Sequence, residues 1–263
     1  MKADTAIEVR NLVTHYGDRA ILKDISFSIP KGKTTVILGG SGCGKSTLLK
    51  HLIGLLKPTS GNIFINDRDI ALMDETALND MRKKIGILFQ GAALLNSLTI
   101  AENVALPIRE HTKLEKSTVD IMVRMKLDLV NLSGFEHFYP AQLSGGMKKR
   151  AGIARAMALD PEILYFDEPS AGLDPVTAAG LDELIIKLRD VFRMTIVVVT
   201  HELPSVFMIA DHVIMLDAGN VLFSGPLAEL TASDHPKIRR FLERKAEEES
   251  ENPEDYLKII AGE

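Results

Sequence analysis

Tryptophan is absent from the 263 residues, and cysteine occurs once, as Cys43. A lone cysteine closes no internal disulfide, which argues against a disulfide-built secreted fold and favours a reducing compartment. Nor does the chain need such staples, because at this length folding buries well over half the surface the unfolded chain exposes. An excess of positive charge is missing too. With 31 Lys and Arg against 36 Asp and Glu, the formal net charge is −5, so a broad basic surface for nucleic acid is not expected. Long apolar runs are also lacking. A bilayer-crossing helix takes about 20 apolar residues, whereas stretches such as Thr195-Ile196-Val197-Val198-Val199-Thr200 are far shorter. Met1 to Thr5 lead into alternating polar and apolar residues rather than a signal-peptide core. The expectation is a chain that crosses no membrane and meets one only through a partner.

What is present alternates between strand and helix patterns. Ala6–Val9 and Ile25–Ile29 have the period of two of half-buried strands. Thr35–Leu38 is a short β-branched run of the kind buried on both sheet faces, and helical spacing resumes from Lys45 to Leu56. Residues 74–84, 115–130 and about 144–159 read as helices, and Ile163–Phe166 and Ile196–Val199 as further buried strands. This order predicts an α/β fold with a largely parallel sheet covered by helices. Residues 91–160 show no convincing strand and are read as an inserted helical subdomain. The main domain is placed at residues 1–242. An extension at 243–263 is acidic, with seven acids against two bases between Glu243 and Asp255. That segment reads as a solvated helix end with a loose tail; Ile238, Phe241 and Leu242, on one helical face ahead of it, are suited to bind either the core or a second copy, the latter making it a tail that reaches across a dimer.

Gly39-Gly40-Ser41-Gly42-Cys43-Gly44-Lys45-Ser46 matches G-x-x-x-x-G-K-[ST] between a strand and a helix, the context of a P-loop. Glycines let successive N–H groups turn inward as an anion nest, and the helix start adds a partial positive charge. Lys45 would reach the β- and γ-phosphates, the Ser46 hydroxyl would ligate Mg²⁺, and Thr47 completes the cradle. Cys43 reads as a small filler within it. Asp167 and Glu168 end the next buried strand. Asp167 is suited to orient the metal's water shell and Glu168 to act as a general base on water.

Further motifs narrow the class. Leu143-Ser144-Gly145-Gly146-Met147 opens a helix, Ser170-Ala171-Gly172-Leu173-Asp174 follows the paired acids, and Thr200-His201 ends the following strand. In this order and spacing the chain, over nearly all of residues 6–230, resembles the ATP-binding subunits of ABC transporters. No Asn-Lys-x-Asp motif of a GTPase is found. The resemblance implies a P-loop NTPase core of ABC type, with an N-terminal antiparallel β subdomain and an inserted α-helical one. It implies ATP and Mg²⁺ as ligands and a head-to-tail dimer, in which Ser144, Gly145 and Gly146 of one copy meet the γ-phosphate held by the other.

Tyr16, which on its own reads as a packing residue, takes the adenine-stacking position in the family. Gln90 takes that of the glutamine touching Mg²⁺ and sensing the membrane partner. His201 takes that of the switch histidine on the γ-phosphate, and Asp174 lies in the loop that communicates between the two sites. Met147 stands where most of the family has glutamine. With Pro107-Ile108-Arg109-Glu110-His111-Thr112, Lys148-Lys149-Arg150 and Asp174-Pro175-Val176-Thr177, it makes the chain similar to ATPases of Mla-type systems. These are phospholipid transporters built around MCE-domain proteins at the Gram-negative inner membrane. Read alone, the Arg-Glu-His stretch is an ordinary solvated helix end. The implied partners are a second copy of the chain, a multi-helix permease and an MCE-domain protein, with a small STAS-domain subunit as a further candidate. The implied location is the cytoplasmic face of the inner membrane. Transport of another small molecule, or a soluble ABC ATPase, are the competing readings.

Overall fold

A computed structural model of the chain describes residues 4–245. The described residues divide into two compact units, one up to residue 227 and one from 228 on.

The first unit opens with β1 (Thr5–Tyr16) and β2 (Arg19–Pro30), an antiparallel pair joined at the tight turn between Tyr16 and Arg19. Next come β3 (Thr34–Gly39) and α1 (Lys45–Leu52), then β4 (Ser60–Ile65) and the two-residue β5 (Arg68–Asp69). α2 (Glu75–Arg82) and β6 (Ile85–Leu88) lead into a helical region of α3 (Ile100–His111), α4 (Lys116–Leu129) and α5 (Gly145–Ala156). The chain then runs through β7 (Ile163–Asp167), α6 (Pro175–Phe192), β8 (Thr195–Val199), α7 (Leu203–Ile209), β9 (His212–Asp217) and β10 (Asn220–Pro226). α8 (Leu227–Thr231) begins at the boundary, and α9 (Pro236–Leu242) lies in the second unit, where Ile238 is buried. Most of the acidic extension lies outside the described residues.

Two sheets result. The four-stranded antiparallel sheet has the order β2-β1-β4-β5, and the six-stranded sheet the order β10-β9-β3-β8-β7-β6. In the larger sheet only the β9–β10 pair is antiparallel. The antiparallel N-terminal sheet and the mainly parallel core agree with the expected class. β3 and β8 are buried along their whole length and β7 nearly so, as parallel strands covered on both faces must be. Tyr165 and Phe166 are among the largest fully buried side chains, each stabilising the core by about 1.5–3 kcal/mol relative to exposure. The Tyr165 hydroxyl would be costly in such a place without a partner, and it donates to the Leu52 carbonyl at 3.3 Å.

Element ends differ from the sequence reading in informative ways. The helix expected to reach Leu56 stops at Leu52, because Gly54 turns left-handed (φ 71°) and the chain folds back toward β4. β6 and the β9–β10 hairpin were not anticipated. Between β6 and β7 the regular elements are helical. α3 carries a full capping box: Glu102 N–H donates to Thr99 Oγ1 at 3.2 Å, and Thr99 N–H donates to Glu102 Oε2 at 2.7 Å. Buried Asn103 then gathers the preceding loop. Its Oδ1 accepts from Leu95 N–H, and its Nδ2 donates to the carbonyls of Leu95, Leu98 and Thr99.

Candidate functional site

Four parallel strands deliver the site residues at their carboxyl ends, where open α/β sheets bind ligands. β3 runs into Gly39–Ser46, β6 into Gln90, β7 into Asp167 and Glu168, and β8 into Thr200 and His201.

Gly39 has φ 150°, and a Cβ there would lie 2.4 Å from the Leu216 carbonyl oxygen and 2.7 Å from Cys43 Sγ. Only glycine allows that close approach to β9. Gly44 caps α1 in a left-handed conformation (φ 109°) without a side-chain hydrogen bond, and no acid lies in the first turn. The helix start is therefore left to an anion rather than to a capping side chain. Lys45 Nζ donates to the carbonyls of Gly39 and Gly40, each at 2.8 Å, so the ammonium curls over the loop. Gly42, Gly44, Lys45, Ser46 and Thr47 line a cleft of about 290 Å³ together with Arg19 and Ile21. Cys43 is buried, and that burial pushes its thiol pKa up.

Tyr16 is not among the residues lining this cleft. It stands 48% exposed at the end of β1, paired across the hairpin turn with Arg19, which does line it. Arg19 was missed in the sequence; its only signal there was its place just after the Tyr16-Gly17-Asp18 turn. The signature residues Ser144, Gly145 and Gly146 are likewise absent from the cleft lining. Ser144 instead caps α5, its Oγ accepting from Met147 N–H at 3.3 Å. Gly146 is packed so closely that a Cβ would meet Thr177 Cγ2 at 2.4 Å. Thr177 is itself fixed by Asp174, whose Oδ1 accepts from the backbone N–H of Val176 and Thr177. Helix α5 and the start of α6 thus present Ser144–Gly146 and Asp174 on one packed surface.

Glu168 is the most constrained residue of the set. Its backbone is left-handed (φ 46°) and its N–H donates to the Val199 carbonyl at 2.8 Å. Oε1 pairs with His201 Nδ1 at 2.8 Å, and Oε2 accepts from Thr200 Oγ1 at 3.2 Å. In this structure the His201 ring therefore engages Glu168. Burial, with the neighbouring Glu168 charge as the next cause, raises the Asp167 pKa, while Lys149 and Lys45 oppose the rise. Ser46, Gln90 and Asp167 offer hard oxygen donors, which suit Mg²⁺.

A groove of about 630 Å³ opens beside β6, lined among others by Arg82, Phe89, Pro107, His111 and Arg155. It receives the Pro107–His111 end of α3, while Arg109 and Glu110 are exposed. No helix among the described residues is long and apolar enough to cross a membrane.

A P-loop after the buried strand β3, a Glu at the end of β7 two places along the same sheet, and a histidine from the intervening β8 bonded to that Glu define a nucleotide-hydrolysing cassette. Comparison with known proteins narrows this class. A family model described as ABC transporter matches residues 22–171. A probable ribonucleotide transport ATP-binding protein of Mycobacterium leprae is 43% identical over 92% of the chain, which spans 70% of that relative. The intermembrane phospholipid transport system ATP-binding protein MlaF of Escherichia coli K12 is 40% identical, over 90% of this chain and 88% of MlaF. That of Haemophilus influenzae is 39% identical over 97% of both. Among solved structures, a dimeric ATP-binding cassette in a post-hydrolysis state with ADP and Pi superposes with TM-score 0.77 at 32% identity, over 84% of this chain and 98% of that one. Another, cbiO1 of Clostridium perfringens, gives 0.81 at 31%, over 88% and 92%. The chain belongs to the ABC transporter family, and it is an ATPase of the transport-coupled kind.

Proposed function

We propose that two copies of this chain close head to tail on ATP and Mg²⁺ and hydrolyse the ATP to drive a membrane permease that moves phospholipid. The observation that supports the hydrolytic part is the fixing of Glu168, at the end of β7, by His201 and Thr200 at the end of β8, the strand between β7 and the cradle's β3. Glu168 takes the proton of the attacking water, and His201 holds the carboxylate in place. Lys45, released from the Gly39 and Gly40 carbonyls, meets the β- and γ-phosphates, with Gly39 to Thr47 forming the cradle. Tyr16 stacks on adenine. Ser46, Gln90 and Asp167 would hold Mg²⁺, Asp167 through water, and the ion would neutralise phosphate charge. Ser144, Gly145 and Gly146 serve the partner copy's nucleotide, in keeping with their absence from this chain's own cleft.

The groove beside Phe89 and His111 is suited to a permease segment. The phospholipid reading draws on the relatives named MlaF, and with it come an MCE-domain protein, a STAS-domain subunit and the cytoplasmic face of the inner membrane. The relatives named for ribonucleotide transport supply the second reading. Isolating the tagged chain from its host's membranes in mild detergent, followed by mass spectrometry, tests the two. A permease with an MCE-domain protein and bound phospholipid supports the first. A permease with a nucleotide-binding partner and no lipid favours the second.

A further inference from the structure

We infer that Lys149 is a positioning residue for ATP hydrolysis: its buried ammonium ties the Gln90 loop to the backbone of Glu168 and so holds the general base at its strand end. The inference rests on the roles proposed above for Glu168 and Gln90.

Lys149 lies on α5, two residues after Met147, and is only 5% exposed. A lysine is almost never buried so deeply without partners for its charge. Both partners here are main-chain carbonyls of site loops: Nζ donates to Gln90 at 2.5 Å and to Glu168 at 3.1 Å. The sheet register explains how one ammonium reaches both. Leu88 of β6 pairs with Phe166 of β7, so Gln90 and Glu168 leave adjacent parallel strands at the same level, each two residues past the pair. A flexible four-carbon stem ending in three donors suits the gap between two loops. Burial lowers the Lys149 pKa, and the carboxylates of Asp167 and Glu168 oppose that fall.

The Glu168 backbone needs such support. Its left-handed φ of 46° is disfavoured for a side chain with a Cβ, and it persists only where the surroundings hold it. The Val199 carbonyl accepts its N–H, while Ala171 N–H at 3.3 Å and Lys149 share its carbonyl. Of these contacts, Lys149 is the one that reaches the Gln90 loop. Without it, the Gln90 loop is no longer tied to the Glu168 backbone, which is left to its contacts with Ala171 and the β8 end, and the aim of the carboxylate at the attacking water loosens. The phosphate cradle, built on β3 and α1, is untouched.

The test is single-turnover hydrolysis and ATP binding by the full chain with Lys149→Met, which keeps the apolar stem and removes the donors. The expected result is a fall of ~10-fold or more in the hydrolysis rate, an ATP Kd within about twofold of the parent, and recovery of most of the rate in Lys149→Arg. Lys149→Gln is too short to span both carbonyls and must show the same split, so the test survives a Met variant that fails to fold. Rates within twofold of the parent in both variants, or parallel loss of binding and rate, overturn the proposal. Glu168→Gln, run alongside, separates the two ideas. If it hydrolyses normally, the general-base reading has failed; if it is inactive while the Lys149 variants are normal, only the Lys149 proposal has.

Discussion

His201 Nδ1 lies 2.8 Å from Glu168 Oε1, which couples the end of β8 to the carboxylate at the end of β7. With Thr200 Oγ1 on the other carboxylate oxygen at 3.2 Å, Glu168 has partners for both oxygens on the neighbouring strand end. Glu168→Gln keeps the shape but removes the basicity. It is expected to bind ATP as the parent does and to hydrolyse it ~10² times more slowly or worse. His201→Ala leaves Glu168 less well aimed and is expected to slow turnover with little change in ATP affinity. Steady-state phosphate release alongside calorimetric ATP titration checks both.

Lys45 donates to two loop carbonyls and stands ready to exchange them for phosphate oxygens. Hydrogen bonds to charged groups contribute about 1.5–3 kcal/mol. Lys45→Ala is therefore expected to weaken ATP binding by about 10- to 100-fold without lowering thermal stability. Calorimetry and a melting curve report the two quantities separately.

Gly39→Ala carries a different signature. Its Cβ would stand 2.4 Å from the Leu216 carbonyl, so β3 and β9 must part or the cradle must distort. Such overpacking costs about 1–3 kcal/mol. At roughly 2–4 °C per kcal/mol for a chain of this size, the melting temperature is expected to fall by several degrees together with ATP affinity. An unchanged melting temperature would contradict the close approach.

His51 on α1 is fully buried, with Nε2 against Thr14 Oγ1 at 2.7 Å and Nδ1 against the Leu56 carbonyl at 2.8 Å. Burial lowers its pKa from the ordinary 6.5. The folded state thus keeps a neutral ring where the unfolded chain already binds a proton. Its contribution to stability is complete above pH 6.5 and declines as the pH falls below that value toward the lowered folded pKa. Melting temperatures between pH 7.5 and 5 should drop with a slope that His51→Gln reduces. An equal slope in that variant would show the ring is not the group responsible.

How much of this was legible in the sequence depended on whether a signal was local. The P-loop, the paired acids and Thr200-His201 sit on contiguous motifs at strand ends, and the structure brings them to one edge of the sheet. β6 was missed because Ile85-Gly86-Ile87-Leu88 is only four residues long and interrupted by glycine, which weakens a strand pattern. Lys149 entered only as part of a subgroup motif, with no site role, and Arg19 not at all, because their significance arises from pairing. Lys149 meets carbonyls 59 and 19 positions away in the chain, and Arg19 reaches the cradle only through the β1–β2 hairpin. His51 reads as a polar residue late in a helix, and only the fold places it against Thr14. No periodicity in the sequence encodes such contacts.

The proposed mechanism needs two copies to close on ATP, because the signature residues do not line their own chain's cleft. Light scattering of Glu168→Gln during size-exclusion chromatography, with and without ATP and Mg²⁺, tests this most directly. The expected result is a monomer without nucleotide and a species of twice that mass with ATP, abolished when Ser144→Arg blocks the start of α5. A chain that binds ATP to saturation yet remains monomeric would contradict the account.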